Sequence, residues 1–124
     1  MWDRLLRNAR VVDPVNGRDG VMDVAVKDGR IAAVGPNLQG EASEVEDLTG
    51  LVVMPGLINL HTHAAMNLLR GRGADLPLMD WLTKEIWPAE GRLMSAEFVH
   101  DGSLIAGVEM IRSGVTCCSD LYFF

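Results

Sequence analysis

The first part of the chain alternates short apolar runs with turn-forming dipeptides, a pattern that is typical of β-strands. Asp28-Gly29 separates two β-prone runs and predicts a hairpin, because glycine tolerates the positive φ of a type I′ turn. Asp13-Pro14, Asn16-Gly17 and Gly35-Pro36 end the runs next to them. The predicted strands cover residues 5–12, 21–27, 30–34 and 45–48.

A second apolar stretch begins after Thr49-Gly50 with the short run 51–53 and continues beyond Pro55-Gly56. Residues 57–60 are β-prone and almost unbroken by polar side chains, as in a strand that is buried on both faces of a parallel sheet. This predicted strand ends at His61.

The pattern becomes helical further along the chain. Residues 80–87 predict a helix that Pro88 stops or kinks. Ser95 is a good N-cap for a second helix, and Leu104, Val108 and Ile111 form an apolar stripe at helical spacing on it. Arg112 and Gly114 close that helix, and residues 115–120 predict another strand. From residue 51 onward the order is therefore strand, long connection, helix and strand, one βα unit and the start of the next, which makes the fold class α/β.

Composition narrows the class of protein. The chain has 124 residues, of which 48% are hydrophobic and 23% charged, and this balance predicts one soluble, globular domain. The net charge of -6 argues against binding to nucleic acid or to an anionic membrane surface. No apolar run is long enough to span a bilayer, and no signal peptide is visible. Cys117 and Cys118 are adjacent, so we expect two reduced thiols packed in a core and a cytoplasmic location.

His61 and His63 are the strongest candidates for chemistry. Residues two apart in an extended chain point the same way, so both imidazoles can reach one point. Neutral imidazole is a preferred ligand of zinc and iron. A bare His-x-His also fits two surface or hydrogen-bonded histidines, and the spacing alone leaves that alternative open.

Other polar residues are weaker candidates. His100 lies on the second predicted helix, where we expect a surface or structural role. Asp120 ends the last predicted strand and is interpreted as structural. Arg70 and Arg72 lie beside glycines, where they could bind an anion or remain solvated.

The segment from Pro55 to His63 reads Pro-Gly-Leu-Ile-Asn-Leu-His-Thr-His and resembles the first barrel strand of the amidohydrolase superfamily. The stretches 61–71, 75–82 and 86–90 resemble the subgroup of 5′-methylthioadenosine/S-adenosylhomocysteine deaminases, which is related to triazine chlorohydrolases. The opening strands and Ser113-Gly114-Val115-Thr116 also match that subgroup, so the resemblance covers essentially the whole chain.

This resemblance implies the N-terminal part of a metal-dependent (β/α)8 barrel that is incomplete in this chain. Residues 1–54 would be strands of a small β-sandwich domain, and residues 55–124 the first βα units of the barrel. His61 and His63 would bind a divalent metal, zinc or alternatively iron. Trp81 would line the substrate pocket and Glu90 would contact ribose hydroxyls, although Trp81 also fits a plain core position and Glu90 a solvated one.

The implied reaction is metal-assisted hydrolytic deamination of an adenine nucleoside such as methylthioadenosine or S-adenosylhomocysteine. Two alternatives remain: an amidohydrolase acting on another ring such as a triazine, guanine or cytosine, or a truncated, non-catalytic β-rich assembly module. The remaining metal ligands and proton-shuttling residues of the family are expected beyond Phe124, so the isolated chain is predicted to be inactive. We expect the full-length protein to be a homo-oligomer.

Overall fold

The computed structural model describes residues 1–122, which form two compact units, Met1–Pro55 and a second unit that begins at Gly56. The first unit is a five-stranded sheet in which β1, β2 and β3 form an antiparallel meander. Both β4 and β5 pair in parallel with β1, one along each half of this long strand. The strands are β1 (Trp2–Asp13), β2 (Arg18–Lys27), β3 (Arg30–Gly35), β4 (Ala42–Asp47) and β5 (Val52–Val53).

The turns of the first unit occur at the dipeptides that predicted them. Asp28 and Gly29 both have positive φ angles, 51° and 70°, and β2 pairs with β3 directly across them, so the hairpin is confirmed. The turn between β1 and β2 is a short 3-10 helix, Pro14–Asn16, whose N-cap is Asp13. Ala9, Val11 and Val24 form the core of this unit, with Leu48 and Val53 packed against them.

A bulge interrupts β1 at Asn8, whose φ of 59° breaks the register between Leu6 and Ala9. The side chain of Asp23 is buried and accepts hydrogen bonds from the backbone nitrogen atoms of Asn8 and Leu38, each at 3.0 Å. It also accepts one from Arg7 Nη1 at 3.2 Å. Asp23 therefore connects the bulge to the loop that follows β3.

Replacing Asp23 with alanine is expected to lower the free energy of unfolding by about 2–3 kcal/mol, since two backbone donors would lose their acceptor. The control is Asp19→Ala on the same strand, because the Asp19 carboxylate pairs with Arg10 in solvent and contributes little. Urea denaturation followed by circular dichroism measures both variants. Equal stability of the two variants would contradict the role given to Asp23.

The second unit contains a two-stranded parallel sheet and a helical connection. Its strands are β6 (Leu57–Thr62) and β7 (Val115–Asp120). A 3-10 helix, Ala64–Leu69, follows β6, and the remaining elements are α1 (Leu78–Trp81), a π turn (Leu82–Ile86), α2 (Trp87–Leu93) and α3 (Ala96–Arg112). The predicted cap of α3 is confirmed: Ser95 Oγ accepts a hydrogen bond from the Phe98 nitrogen at 3.0 Å. None of the helices in residues 1–122 has the length and apolar character that crossing a bilayer requires.

Pro88 distorts the predicted helix rather than stopping it. Helical structure continues from Leu78 to Leu93, and the distortion appears as the π turn just before the proline. In a regular α-helix the ring of Pro88 would clash with the Lys84 carbonyl, and the proline has no N–H to bond it. In the π turn the Trp87 N–H bonds to the Leu82 carbonyl, five residues back.

Two expectations about burial are wrong for the described residues. Leu57, Ile58 and Leu60 are exposed rather than buried on both faces, because β6 has β7 as its strand partner and no layer covers both faces of the pair. For the same reason Cys117 and Cys118 on β7 are exposed free thiols, not core residues.

The apolar stripe of α3 is also exposed. The helix instead packs its small residues, Gly102 and Ala106, toward the interior. Ala65, in the 3-10 helix after β6, is the close neighbour of Gly102.

Candidate metal and substrate site

His61 lies near the end of β6 and His63 directly follows the strand. Alternation along the extended chain puts both rings on the same side, and their centroids are 5.1 Å apart with an interplanar angle of 87°. Both side chains are exposed. The predicted placement of two neighbouring imidazoles at the end of a strand is therefore present in the structure.

Backbone contacts orient His63. Its Nδ1 lies 2.6 Å from the Leu121 carbonyl oxygen, just beyond the end of β7. With the proton on Nδ1 the ring donates to that carbonyl, and Nε2 keeps a lone pair for a metal ion. Asp120 Oδ1 accepts a hydrogen bond from the Ala64 nitrogen at 3.1 Å, which attaches the turn after His63 to the same strand. Asp120 thus has the structural role expected for it.

The two imidazoles provide part of a metal site. Neutral imidazole nitrogen suits zinc and other divalent ions, so the donor chemistry of the pair fits such a metal. A catalytic zinc ordinarily has three protein ligands and one open position. Within residues 1–122, no group of three or more histidine, cysteine or acidic side chains lies close enough together to hold an ion.

A cavity of about 310 Å³ brings three of the four predicted site residues together. His63, Trp81 and Glu90 all line it, whereas His61 does not. Its wall is mostly apolar, with Trp87 and Leu82 among the lining side chains. A largely apolar cavity with a few polar groups is the usual form of a small-molecule site.

Trp81 and Glu90 face the same cavity because the helix between them contains the π turn. In a regular α-helix, side chains nine positions apart point in nearly opposite directions, since each residue turns the helix by about 100°. The π turn accommodates one extra residue, so the two directions differ by about 80° instead. The proline-induced distortion thereby brings the carboxylate around to the side of the indole.

Trp81 has a packing role as well as a place in the cavity wall. Its indole nitrogen donates to the Arg72 carbonyl at 2.7 Å, and its ring packs against the buried cluster of Leu69, Ile86 and Ala89. The two interpretations of Trp81 therefore describe two sides of one half-buried ring. Such anchoring fixes the orientation of the surface that the ring presents to the cavity.

Glu90 is half-buried, and its Oε1 accepts a hydrogen bond from the Tyr122 hydroxyl at 2.9 Å. Burial raises the pKa of Tyr122, and the hydrogen bond to the Glu90 carboxylate raises it further. The hydroxyl therefore remains a protonated donor at neutral pH. Glu90 is not the fully solvated carboxylate of the alternative interpretation.

The remaining candidates, Arg70, Arg72 and His100, do not form a binding site. Arg70 is hydrogen-bonded to Asn67 and Glu109, and the hydrogen bond from Arg70 lowers the pKa of Glu109 below its usual range. Arg72 pairs with Glu85 at 3.4 Å. Because both guanidinium groups have carboxylate partners, the structure does not favour an anion site there. His100 lies on the helix surface beside Asp101, in agreement with its expected role.

Sequence reasoning missed Leu121 and Tyr122. Both follow β7 directly, and residues after the carboxyl end of a parallel strand are where α/β proteins place functional groups. That position is the signal that could have identified them.

Comparison with known proteins places the chain among hydrolases. The model of the Amidohydrolase family matches residues 52–124. A 5-methylthioadenosine/S-adenosylhomocysteine deaminase of Aquifex aeolicus is 49% identical over 123 residues, covering 99% of this chain and 28% of that protein. A 5′-deoxyadenosine deaminase of Methanosarcina mazei is 50% identical over 126 residues, covering 100% of this chain and 29% of that protein. The chain thus spans less than a third of these relatives.

The chain is also similar to parts of solved structures. An adenosine deaminase of Xanthomonas campestris with bound zinc superposes with a TM-score of 0.94 at 40% identity, over 99% of this chain and 29% of that one. A triazine hydrolase of Arthobacter aurescens superposes with a TM-score of 0.83 at 22% identity, over 100% of this chain and 29% of that one, and this likeness shows the fold alone.

Proposed function

Since the chain belongs to the amidohydrolase family, we propose that it is the N-terminal part of a zinc-dependent hydrolase that deaminates adenine nucleosides. The observation that carries the proposal is the cavity lined by His63, Trp81 and Glu90, together with the imidazole of His61, whose centroid lies 5.1 Å from that of His63. Its dimensions and mostly apolar wall suit a small heterocycle. Relatives named as adenine nucleoside deaminases support the substrate class.

In this proposal β6 and β7 are the first two strands of a (β/α)8 barrel, and residues 55–124 are its first βα units. Residues 1–54 contribute strands to a smaller β-domain. The parallel pairing of β6 and β7 through a helical connection supports this arrangement. The exposed apolar side chains of β6 are then positions that further barrel strands would cover.

His61 and His63 would hold the metal through their ring nitrogens. The zinc in the Xanthomonas campestris relative supports that choice of ion. A bound divalent metal lowers the pKa of a water ligand and thereby supplies hydroxide at neutral pH. The contribution of this chain is to hold the His63 ring through the Leu121 carbonyl, which would leave Nε2 as the nitrogen available to the metal.

Glu90 and Trp81 would bind the substrate. A carboxylate can accept hydrogen bonds from two vicinal hydroxyls at once, so Glu90 would recognise the ribose. The indole of Trp81 would pack on the purine or on the 5′ substituent. Both side chains line the same cavity as His63, so a nucleoside bound to them would lie next to the metal ligand.

The test is ammonia release by the complete product of the gene that encodes this chain. Methylthioadenosine, S-adenosylhomocysteine and 5′-deoxyadenosine are compared with guanine, cytosine and a chlorinated triazine. We expect zinc-dependent turnover of the adenine nucleosides at least about a hundredfold above the other rings. Preferential turnover of a free base or a triazine would refute the substrate class.

The isolated chain 1–124 is expected to show no deaminase turnover and to bind zinc weakly, because two imidazoles are fewer ligands than a catalytic zinc requires. Purified chain is incubated with methylthioadenosine and added zinc, and zinc binding is measured by titration calorimetry. The complete gene product is the positive control. Zinc-dependent turnover by the isolated chain, or tight one-to-one binding by a monomer, would contradict this expectation.

A further inference from the structure

The end of β7 and the two residues after it make three contacts with the site through three consecutive residues. Asp120 accepts a hydrogen bond from the turn after His63, and Leu121 accepts one from the His63 ring. Tyr122 donates one to Glu90, which is 32 positions earlier in the chain. The first two contacts support the proposed metal ligand, whereas the third supports the Glu90 carboxylate, which lines the same cavity.

We propose that Tyr122 is a positioning residue that holds the Glu90 carboxylate toward the cavity, so that it selects ligands with two vicinal hydroxyls. The inference deepens the proposed function, on which it rests, by naming a determinant of nucleoside specificity. Tyr122 acts through Glu90 and takes no part in the chemical step.

The geometry of a carboxylate leaves room for this role. An ionised carboxylate has about four lone-pair sites on its two oxygens, and the tyrosine hydroxyl occupies one of them on Oε1. Two vicinal hydroxyls require two more. Tyrosine can therefore hold Glu90 without competing for all of its acceptor capacity.

Freezing a glutamate side chain costs conformational entropy, because its rotatable bonds must adopt one arrangement before two hydroxyls can bind together. A hydrogen bond from a half-buried phenol supplies that arrangement in advance. Glu90 is the one carboxylate among the cavity-lining residues that the structure describes, and most of the other lining side chains are apolar. Recognition of a polar ligand group there depends strongly on the orientation of Glu90.

The experiment compares Tyr122→Phe with the unsubstituted complete gene product, using methylthioadenosine and its 2′,3′-dideoxy analogue. For methylthioadenosine we expect KM to rise about fivefold, the loss expected for one hydrogen bond, with kcat within about twofold. For the dideoxy analogue we expect Tyr122→Phe and the unsubstituted protein to have equal KM values. That ligand lacks the two ribose hydroxyls that would donate hydrogen bonds to Glu90. General damage to the fold would affect both ligands alike.

Binding is also measured without turnover, by equilibrium dialysis of both ligands against chelator-treated protein. A selective loss of methylthioadenosine affinity in Tyr122→Phe, together with no turnover by the unsubstituted protein when zinc is present, would support the role of Tyr122 and overturn the proposed deamination. Equal changes for the two ligands, or none, would overturn the role of Tyr122. Failure of the unsubstituted protein to bind either ligand would overturn both.

A double-variant cycle gives an independent check. If Tyr122 acts through Glu90, then Glu90→Ala and Glu90→Ala with Tyr122→Phe should bind methylthioadenosine equally, within about twofold, because alanine has no oxygen for the tyrosine hydroxyl to orient. A further fivefold loss in the double variant would show that Tyr122 contacts the ligand by another route and would overturn the inference.

Discussion

Replacing His63 with alanine is expected to remove the metal from the complete gene product and to lower its turnover by about a thousandfold or more. The substitution deletes an imidazole whose Nδ1 is held by the Leu121 carbonyl and whose Nε2 would bind the ion. Without that ligand, His61 would lack the neighbour whose ring lies 5.1 Å away. Metal content after dialysis and ammonia release are the two measurements.

The matched control is His100→Ala, which removes an exposed imidazole from the surface of α3. His100 lies beside Asp101 and does not line the cavity that contains His63, Trp81 and Glu90. We expect it to keep full metal content and turnover. Retention of stoichiometric zinc by His63→Ala would remove His63 from the metal site and with it the basis of the proposed function.

The features that sequence reasoning predicted correctly are those with local causes. The turn at Asp28-Gly29 and the cap at Ser95 each depend on a few neighbouring residues, and both are present in the structure. The His-x-His spacing is equally local, since it requires only an extended backbone. The assignment to the amidohydrolase family from the motif at residues 55–63 is confirmed by the match over residues 52–124.

The features that could not be predicted depend on distant partners. Exposure of Cys117 and Ile58 follows from how many strands and layers surround β6 and β7, and an apolar run does not specify that number. The π turn follows from Pro88, but whether a proline ends a helix or distorts it depends on the packing on both sides of it.

The support for the candidate site was missed for a similar reason. The contact of His63 with Leu121 joins residues 58 positions apart, and that of Glu90 with Tyr122 joins residues 32 apart. The first contact exists because parallel β-strands end at the same edge of a sheet, so the residue after β6 meets the residue after β7. The second joins the segment after β7 to α2, which lies in the helical connection between the two strands. Sequence order shows which residues follow a strand but not which of them touch.

The close packing of α3 leads to the second large expected effect. A methyl group added at Gly102 would lie 2.4 Å from the Ala65 carbonyl oxygen and 2.9 Å from its Cα atom. These are backbone atoms, so a change of side-chain rotamer cannot relieve the overlap. We expect Gly102→Ala to lower the free energy of unfolding of this unit by about 2 kcal/mol, because the helix and the 3-10 segment must move apart.

The control lies five residues further along the same helix. A methyl group at Gly107 would meet no atom within 4 Å. There the usual preference of helices for alanine applies, and Gly107→Ala is expected to stabilise the unit by up to about 1 kcal/mol. Both variants are measured by urea denaturation of the chain. Two substitutions of identical chemistry should thus have effects of opposite sign, and stabilisation by both would show that α3 does not pack against Ala65 as closely as described.

Because Ala65 is two residues from His63, Gly102→Ala should also weaken metal binding by the complete gene product, whereas Gly107→Ala should leave it unchanged.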